Sequence, residues 1–288
     1  FFYNMVYLFL LCLIPKPIKD IINVRSEFMK DKILLFIPGY NCEKQVVRVL
    51  KQLDKKVMKY INEIIFVNNR STDNTEKAVL EFKKESGLPI KVLRNDENYN
   101  LGGSHKVAFN YALENKFDYV IVLHGDDQGD IHDLLPYLEN KEYQKYDCIL
   151  GSRFEKGSKL KGYSKFRTFG NRVFNIIFSI SVGKRISDLG SGLNMYNTKI
   201  FENNFYHKFP DKLTFNCCML FAMSYYKHTY KFIPITWRED DQVSNVKMFS
   251  QAKVTLKIAM KYFFNHKYVL SEFREKPIEK YTAKEIKK

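Results

Sequence analysis

The chain has 288 residues, 45% of them hydrophobic and 27% charged, which excludes a disordered protein and leaves apolar material for one large core with appendages. A formal net charge of +15 predicts attraction to anions, and nucleic acid, acidic phospholipid and phosphorylated small molecules all stay open on that ground. The five cysteines (Cys12, Cys42, Cys148, Cys217, Cys218) are an odd number without Cys-x-x-Cys spacing, which argues against a disulfide framework and structural zinc and favours a reducing compartment.

Residues 1–14 are almost wholly apolar but fall short of the roughly 20 that span a bilayer. They read as a remnant anchor or interfacial segment, or as a helix packed on the domain. Beyond a polar joint, residues 33–37 (ILLFI) form a buried strand stopped by Pro38-Gly39. Helical spacing of Val46, Val47, Leu50, Leu53, Val57 and Ile61 predicts a crossover helix over 43–61, and residues 63–67 give a second strand. That strand runs into Asn68-Asn69-Arg70-Ser71-Thr72-Asp73, where Ser71, Thr72 or Asp73 suits a helix cap. Strand, helix, strand makes a parallel βαβ unit.

A third short strand (89–93) precedes Asn98-Tyr99-Asn100-Leu101-Gly102-Gly103-Ser104 and a helix expected over 105–115. Gly102 and Gly103 before a helix N-terminus let backbone N–H groups approach an anion, with Lys106 nearby, though such a stretch also serves as a plain turn. The fourth strand, 119–123, ends in His124-Gly125-Asp126-Asp127-Gln128. Alternation aims His124, Asp126 and Gln128 the same way in an extended segment, as a ligand site at a strand's carboxyl end would need. The plainer reading is that strand-end acids, here Asp130 or Asp133, cap the next helix. Further on come a strand end at 148–153, a Lys/Arg-rich loop with a helix over 170–182, strands at 193–196 and 230–235, and a helix over 213–226. Residues 246–270 read as a basic amphipathic helix, suited to an anionic membrane surface or to packing on the parent domain, and 273–288 as a charged tail. There is no internal repeat and no signal of oligomeric state.

Three strand ends thus carry polar clusters on one edge of a parallel sheet, where a nucleotide is expected. Ile37-Pro38-Gly39-Tyr40-Asn41 is similar to "I-P-x-Y-N", 67–73 to "V-D-D-G-S-T-D" and 122–128 to "D-x-D-x-Q", the motifs of inverting family 2 glycosyltransferases. Gly151-Ser152-Arg153, Gly170-Asn171-Arg172, Ser187-Asp188 with Ser191-Gly192, and Trp237-Arg238 before Ser244 follow in that family's order. The chain resembles the branch related to dolichyl-phosphate mannose synthase over about 33–247.

The resemblance implies an α/β, GT-A (Rossmann-like) three-layer sandwich with a mostly parallel sheet over 31–245. It is flanked by an N-terminal apolar segment and linker (1–30) and a C-terminal amphipathic helix and tail (246–288). It implies a nucleotide-sugar donor, UDP- or GDP-linked, held by Pro38, Tyr40, Asn41, Asn68, Asn69, Ser71, Gly102, Gly103, Lys106 and Asp126. A divalent metal, Mn²⁺ or Mg²⁺, would be held by Asp126 with His124 and Gln128. His124 stands where the family has its first acid, and imidazole tilts the preference toward Mn²⁺ unless it only hydrogen-bonds. Asn68 and Asn69 stand where the family has two aspartates, and an asparagine amide can still pair with uracil. Inverting transfer to a hydroxyl of a glycan or lipid needs a general base, for which Asp188 is the candidate with Asp240 and Asp241 behind it. A polyprenyl-phosphate acceptor needs none, and Arg153, Arg167, Arg172 and Arg238 are the candidates to bind it, unless they are solvated surface charge. No Q-x-x-R-W-type motif occurs near the C-terminus, against a processive synthase. The resemblance places the protein at the cytoplasmic face of a membrane. Nucleic acid is not expected as a partner, for want of any binding motif. The alternative is a non-catalytic nucleotide- or sugar-binding protein that keeps the fold.

Overall fold

Seven apolar residues in succession make β1 (Ile33–Gly39), and every one of them is buried. A strand covered on both faces sends alternate side chains to opposite layers. Leu34 and Phe36 enter one core with Val67, Val120 and Phe215, while Ile33, Leu35 and Ile37 enter another with Phe66, Ile121 and Leu138. Helices cover both faces, so the domain is the three-layer α/β/α sandwich expected. The computed structural model describes residues 31–241 and 248–287. The apolar segment and linker read from residues 1–30, and Ser244, lie outside the described residues.

After β1 the chain runs through α1 (Glu43–Lys51), α2 (Lys55–Met58), β2 (Glu63–Asn68), α3 (Thr75–Ser86), β3 (Ile90–Asn95), α4 (Asn100–Glu114) and β4 (Tyr119–Leu123). Then follow α5 (Leu135–Glu139), β5 (Cys148–Ser152), β6 (Lys159–Lys161), α6 (Lys165–Val182), β7 (Leu193–Asn197), α7 (Thr214–Tyr225), β8 (Tyr230–Pro234), β9 (Thr236–Arg238), α8 (Met248–Phe264) and β10 (Ala283–Ile286). The central sheet has the order β10-β3-β2-β1-β4-β7-β5-β8. Strands β3, β2, β1 and β4 are mutually parallel, as are β5 and β8; β7 runs antiparallel between β4 and β5, and β10 antiparallel to β3. The C-terminal ends of β1, β2 and β4 therefore emerge side by side.

Several boundaries differ from the sequence expectation. The helix expected over 43–61 is broken at Asp54, whose carboxylate accepts the N–H groups of Lys56 and Val57 at 2.9 and 3.0 Å and so caps a second helix. Helix α4 begins at Asn100, so Gly102 and Gly103 lie inside it rather than before it. Residues 273–288, expected as a tail, contain β10, which completes one edge of the sheet. Its anchor is Tyr281, buried against Tyr99 and Val107, a tertiary contact that local charge content does not reveal.

Candidate active site

Over the ends of β1, β2 and β4 lies a cleft of about 690 Å³. Its strand side presents Pro38, Tyr40, Asn41, Asn69, His124 and Asp126; Lys212, Leu213, Ser250 and Gln251 face them, with Asn98, Asn100 and Ser104 between. The two loops after β1 and β2 are stitched together. Asn41 adopts a left-handed φ of 50°, its N–H donates to Ser71 Oγ at 3.1 Å, and its Oδ1 accepts the Thr72 N–H at 2.8 Å. The Cys42 N–H donates to Thr75 Oγ1 at 2.7 Å. Ser71 and Thr72, expected as caps, act as inter-loop fasteners.

The asparagine pair divides its work. Asn68 is buried, donates to Glu76 Oε2 at 2.7 Å and accepts the Ser71 N–H at 2.9 Å, so it shapes the turn and does not line the cleft. Asn69 lines the cleft, but its Oδ1 already accepts the Tyr99 N–H at 2.8 Å and Asn95 Nδ2 at 2.9 Å, and its amide nitrogen donates to Asn98 Oδ1 at 2.9 Å. An amide has two N–H donors, so Asn69 keeps one for a ligand.

Beyond β4, the His124 N–H donates to the Gly192 carbonyl at 2.8 Å and the Gly125 N–H to the Pro38 carbonyl at 3.0 Å, which pins this strand end against that of β1. The expected alternation holds only in part. Asp127 takes a left-handed φ of 59°, and its buried carboxylate accepts Arg48 Nε at 2.6 Å and Gln52 Nε2 at 3.2 Å. The Gln128 side-chain amide lies 3.4 Å from Glu239 Oε1, and its backbone N–H donates to Asp126 Oδ1 at 3.2 Å. Of the three predicted ligands, His124 and Asp126 line the cleft. Burial, reinforced by Asp127 and Glu239, pushes the Asp126 carboxyl up to about 6, and burial pushes the His124 imidazole down to about 4. A desolvated carboxylate among like charges gains from a cation, and a neutral imidazole offers a lone pair. Among the described residues no three His, Cys, Asp or Glu are grouped to hold a metal. The pair therefore fits an ion completed by phosphate oxygens and water, not a closed protein cage.

Other predicted residues are placed elsewhere. Gly102 and Gly103 are packing glycines: a Cβ at Gly102 would overlap the carbonyl of Pro210, and one at Gly103 the Cβ of Tyr99. The Gly102 N–H donates to the Asp211 carbonyl, so it is not offered to an anion. Lys106 is buried, donating to Asp211 Oδ1 at 2.7 Å and the Phe209 carbonyl at 2.6 Å, and is not part of the cleft lining. Asp188, the expected base, is also buried and pairs with Arg153, one of the expected acceptor-binding arginines. Arg167 pairs with Glu239 at 2.5 Å, Arg238 reaches Asp127 and Asp130 at 3.8 Å, and Arg172 is exposed on α6. Asp241 lines the cleft but is held by Arg48 at 2.6 Å. Lys212, Leu213, Ser250 and Gln251 were not singled out in the sequence. They sit on elements remote from the strand-end motifs, and nothing local to them signals a site.

A parallel sheet with a cleft over the carboxyl ends of β1, β2 and β4, and an acid and a histidine at the end of β4, defines an α/β domain with its crevice where ligands bind in such sheets. Residues 35–205, more than half the chain, match the model of glycosyl transferase family 2, and the protein belongs to that family. It is 30% identical over 151 residues to an uncharacterized protein of Methanocaldococcus jannaschii, which covers 52% of this chain and 62% of that one. To the UDP-N-acetylglucosamine–dolichyl-phosphate N-acetylglucosaminyltransferase of Methanococcus voltae it is 25% identical over 181 residues, 59% of this chain and 71% of that one. To the undecaprenyl-phosphate 4-deoxy-4-formamido-L-arabinose transferase of Proteus mirabilis it is 28% identical over 181 residues, 62% and 52% of the two chains. The chain thus spans about half the length of the latter relative. Among solved structures, glucosyl-3-phosphoglycerate synthase of Mycobacterium tuberculosis, in complex with Mn²⁺, UDP and phosphoglyceric acid, aligns with a TM-score of 0.56 and 11% identity over 82% of this chain and 78% of that one. The fold is GT-A and the protein is a family 2 glycosyltransferase.

Proposed function

We propose that the cleft binds a UDP-linked sugar and that the protein transfers the sugar, with inversion, to the phosphate of a polyprenyl phosphate. The observation that carries this reading is the placement of His124 and Asp126 together on the cleft, at the end of β4 beside Pro38 and Asn69. The loops after β1 and β2 take the nucleoside, with Tyr40 exposed as a stacking face and the remaining Asn69 N–H as a donor to a base carbonyl. Asp126 and His124 would hold a divalent cation, which would neutralise the departing nucleoside diphosphate. The acceptor oxygen forms its bond to the anomeric carbon as the bond to the diphosphate breaks. A phosphate acceptor is favoured because it is already anionic, whereas the expected base is engaged: Asp188 is buried against Arg153, and Asp241 is held by Arg48. The names of the Methanococcus and Proteus relatives support the same acceptor class.

Calorimetric titration with UDP and GDP, each with Mn²⁺ and with EDTA, tests the donor half. Metal-dependent binding of UDP that Asp126→Ala abolishes is the expected result. Undiminished Mn²⁺-dependent affinity in Asp126→Ala, or no binding of either nucleotide to folded protein, overturns it.

A further inference from the structure

Lys106, the lysine expected near a bound anion, is committed to Asp211, and the residue that follows Asp211 is another lysine. Asp211 is buried; its carboxylate also accepts the Tyr281 hydroxyl, and its carbonyl accepts the Gly102 N–H. A backbone so fastened holds its place, and Lys212 leaves it on the cleft wall. Among the described residues that line the cleft, Lys212 is the one lysine or arginine.

Its ion partner is of a different kind from that of Lys106. Lys212 Nζ lies 3.3 Å from Glu275 Oε1, and the two side chains are 67% and 45% exposed. Glu275 is kept beside Lys212 by its neighbours: the Phe273 N–H donates to the Lys208 carbonyl at 2.7 Å, and Lys276 pairs with Glu97. An ion pair this wet contributes little, because water screens both charges and two long side chains must be held still. Opening it therefore costs little, whereas the buried Lys106–Asp211 pair cannot open without stranding a charge.

The chemistry of the donor calls for such a cation. A diphosphate esterified at both ends carries two negative charges, and breaking its bond to the sugar leaves a third. That third charge develops during the reaction, so a positive group that meets it there favours the transition state over the ground state. Resting on the reading of the cleft as a donor site, we propose that Lys212 exchanges Glu275 for the donor's diphosphate and binds its sugar-bearing phosphate. No proton changes hands: the ammonium donates a hydrogen bond, keeps its charge and offsets the charge that departs with the diphosphate. Glu275 holds the same ammonium while the cleft is empty and competes with the donor for it.

Titration calorimetry of the full chain with UDP and with UMP, each with Mn²⁺, separates the second phosphate from the rest of the nucleotide. Lys212→Met is expected to weaken UDP about tenfold, the order of one lost charge-assisted hydrogen bond, and to leave UMP unchanged. Lys212→Arg should keep most of the affinity for UDP. Glu275→Gln is expected to tighten UDP about two- to threefold, the order of an exposed ion pair, and to do nothing in the Lys212→Met background. Lys212→Met that binds UDP as the parent does, while Asp126→Ala abolishes binding, overturns the role of Lys212 and leaves the donor site standing. Equal losses for UMP and UDP overturn it too, since they report a displaced cleft wall. Tightening by Glu275→Gln that persists without Lys212 overturns the exchange. Folded parent protein that binds neither nucleotide overturns the reading of the cleft and this proposal with it.

Discussion

Arg153 and Asp188 meet through two parallel hydrogen bonds inside the domain, Nε to Oδ2 at 2.8 Å and Nη2 to Oδ1 at 2.7 Å. The same carboxylate accepts the amide N–H groups of Arg153 at 2.9 Å and Gly190 at 3.2 Å, and the guanidinium lies 5.0 Å from the Trp237 ring. A pair so enclosed holds β5 to the turn before β7. Asp188→Ala strands a buried guanidinium and is expected to cost about 3–5 kcal/mol. A lowered denaturant midpoint checks this, and Arg153→Met with Asp188→Leu should recover most of the loss. A variant Asp188→Asn that keeps full stability and loses only turnover would return the acid to a catalytic role.

A second buried pair joins distant parts of the chain. Lys106 of α4 bonds Asp211, and the Tyr281 hydroxyl donates to Asp211 Oδ1 at 2.7 Å, so the segment bearing Lys212 and Leu213 is tied to the residues just before β10. Lys106→Met leaves Asp211 without its ion partner and is expected to destabilise by about 3–5 kcal/mol, against about 1–2 kcal/mol for Tyr281→Phe. In both variants, hydrogen exchange should show amides of β10 opening before those of β1.

Two glycines give opposite expectations. A Cβ at Gly102 meets the carbonyls of Pro210 and Asp211, whereas Gly170 in α6 has open space around it. Gly102→Ala should push residues 210–213 outward, costing about 1–3 kcal/mol of stability and weakening nucleotide binding. Gly170→Ala should stabilise by about 0.5–1 kcal/mol, because the unfolded chain loses freedom and the helix nothing. Thermal unfolding of the two variants beside the parent protein checks both signs.

Acid should unfold the domain through histidines that burial keeps neutral. His105, packed among Phe36, Phe109 and Phe215, is pushed down to about 3, and His207 to about 4. Between these values and the ordinary value near 6.5, the unfolded chain binds protons that the folded chain refuses, so stability falls as pH falls through that window. Each histidine contributes a slope of up to about 1.4 kcal/mol per pH unit. Denaturant titrations from pH 7 to about 4.5 should show the loss, and His105→Phe should flatten it.

The sheet and the edge where ligands bind were legible because β1, β2 and β4 are unbroken apolar runs that end in polar clusters. Those runs state both the burial and the direction of each strand. Less legible was what each polar residue does once there. Asp126 and Asp127 are neighbours, but a single left-handed φ at Asp127 sends one carboxylate to the cleft and the other into a buried bond with Arg48. Lys106 and Asp188 look in sequence like residues waiting for a ligand, but each is neutralised by a partner more than thirty positions away. The far wall of the cleft was invisible for the same reason. Lys212, Ser250 and Gln251 acquire meaning only when α7 and α8 are packed against the sheet.

Strand β10 pairs with β3 through Ala283 and Asn95, partners separated by most of the chain. During synthesis on a ribosome the flank of β3 thus waits, hydrogen-bonding groups exposed, until residues 283–286 have emerged. An open strand flank invites pairing with a neighbouring nascent chain. Expression yield and the need for chaperones should accordingly respond to changes in residues 281–286, far from the cleft.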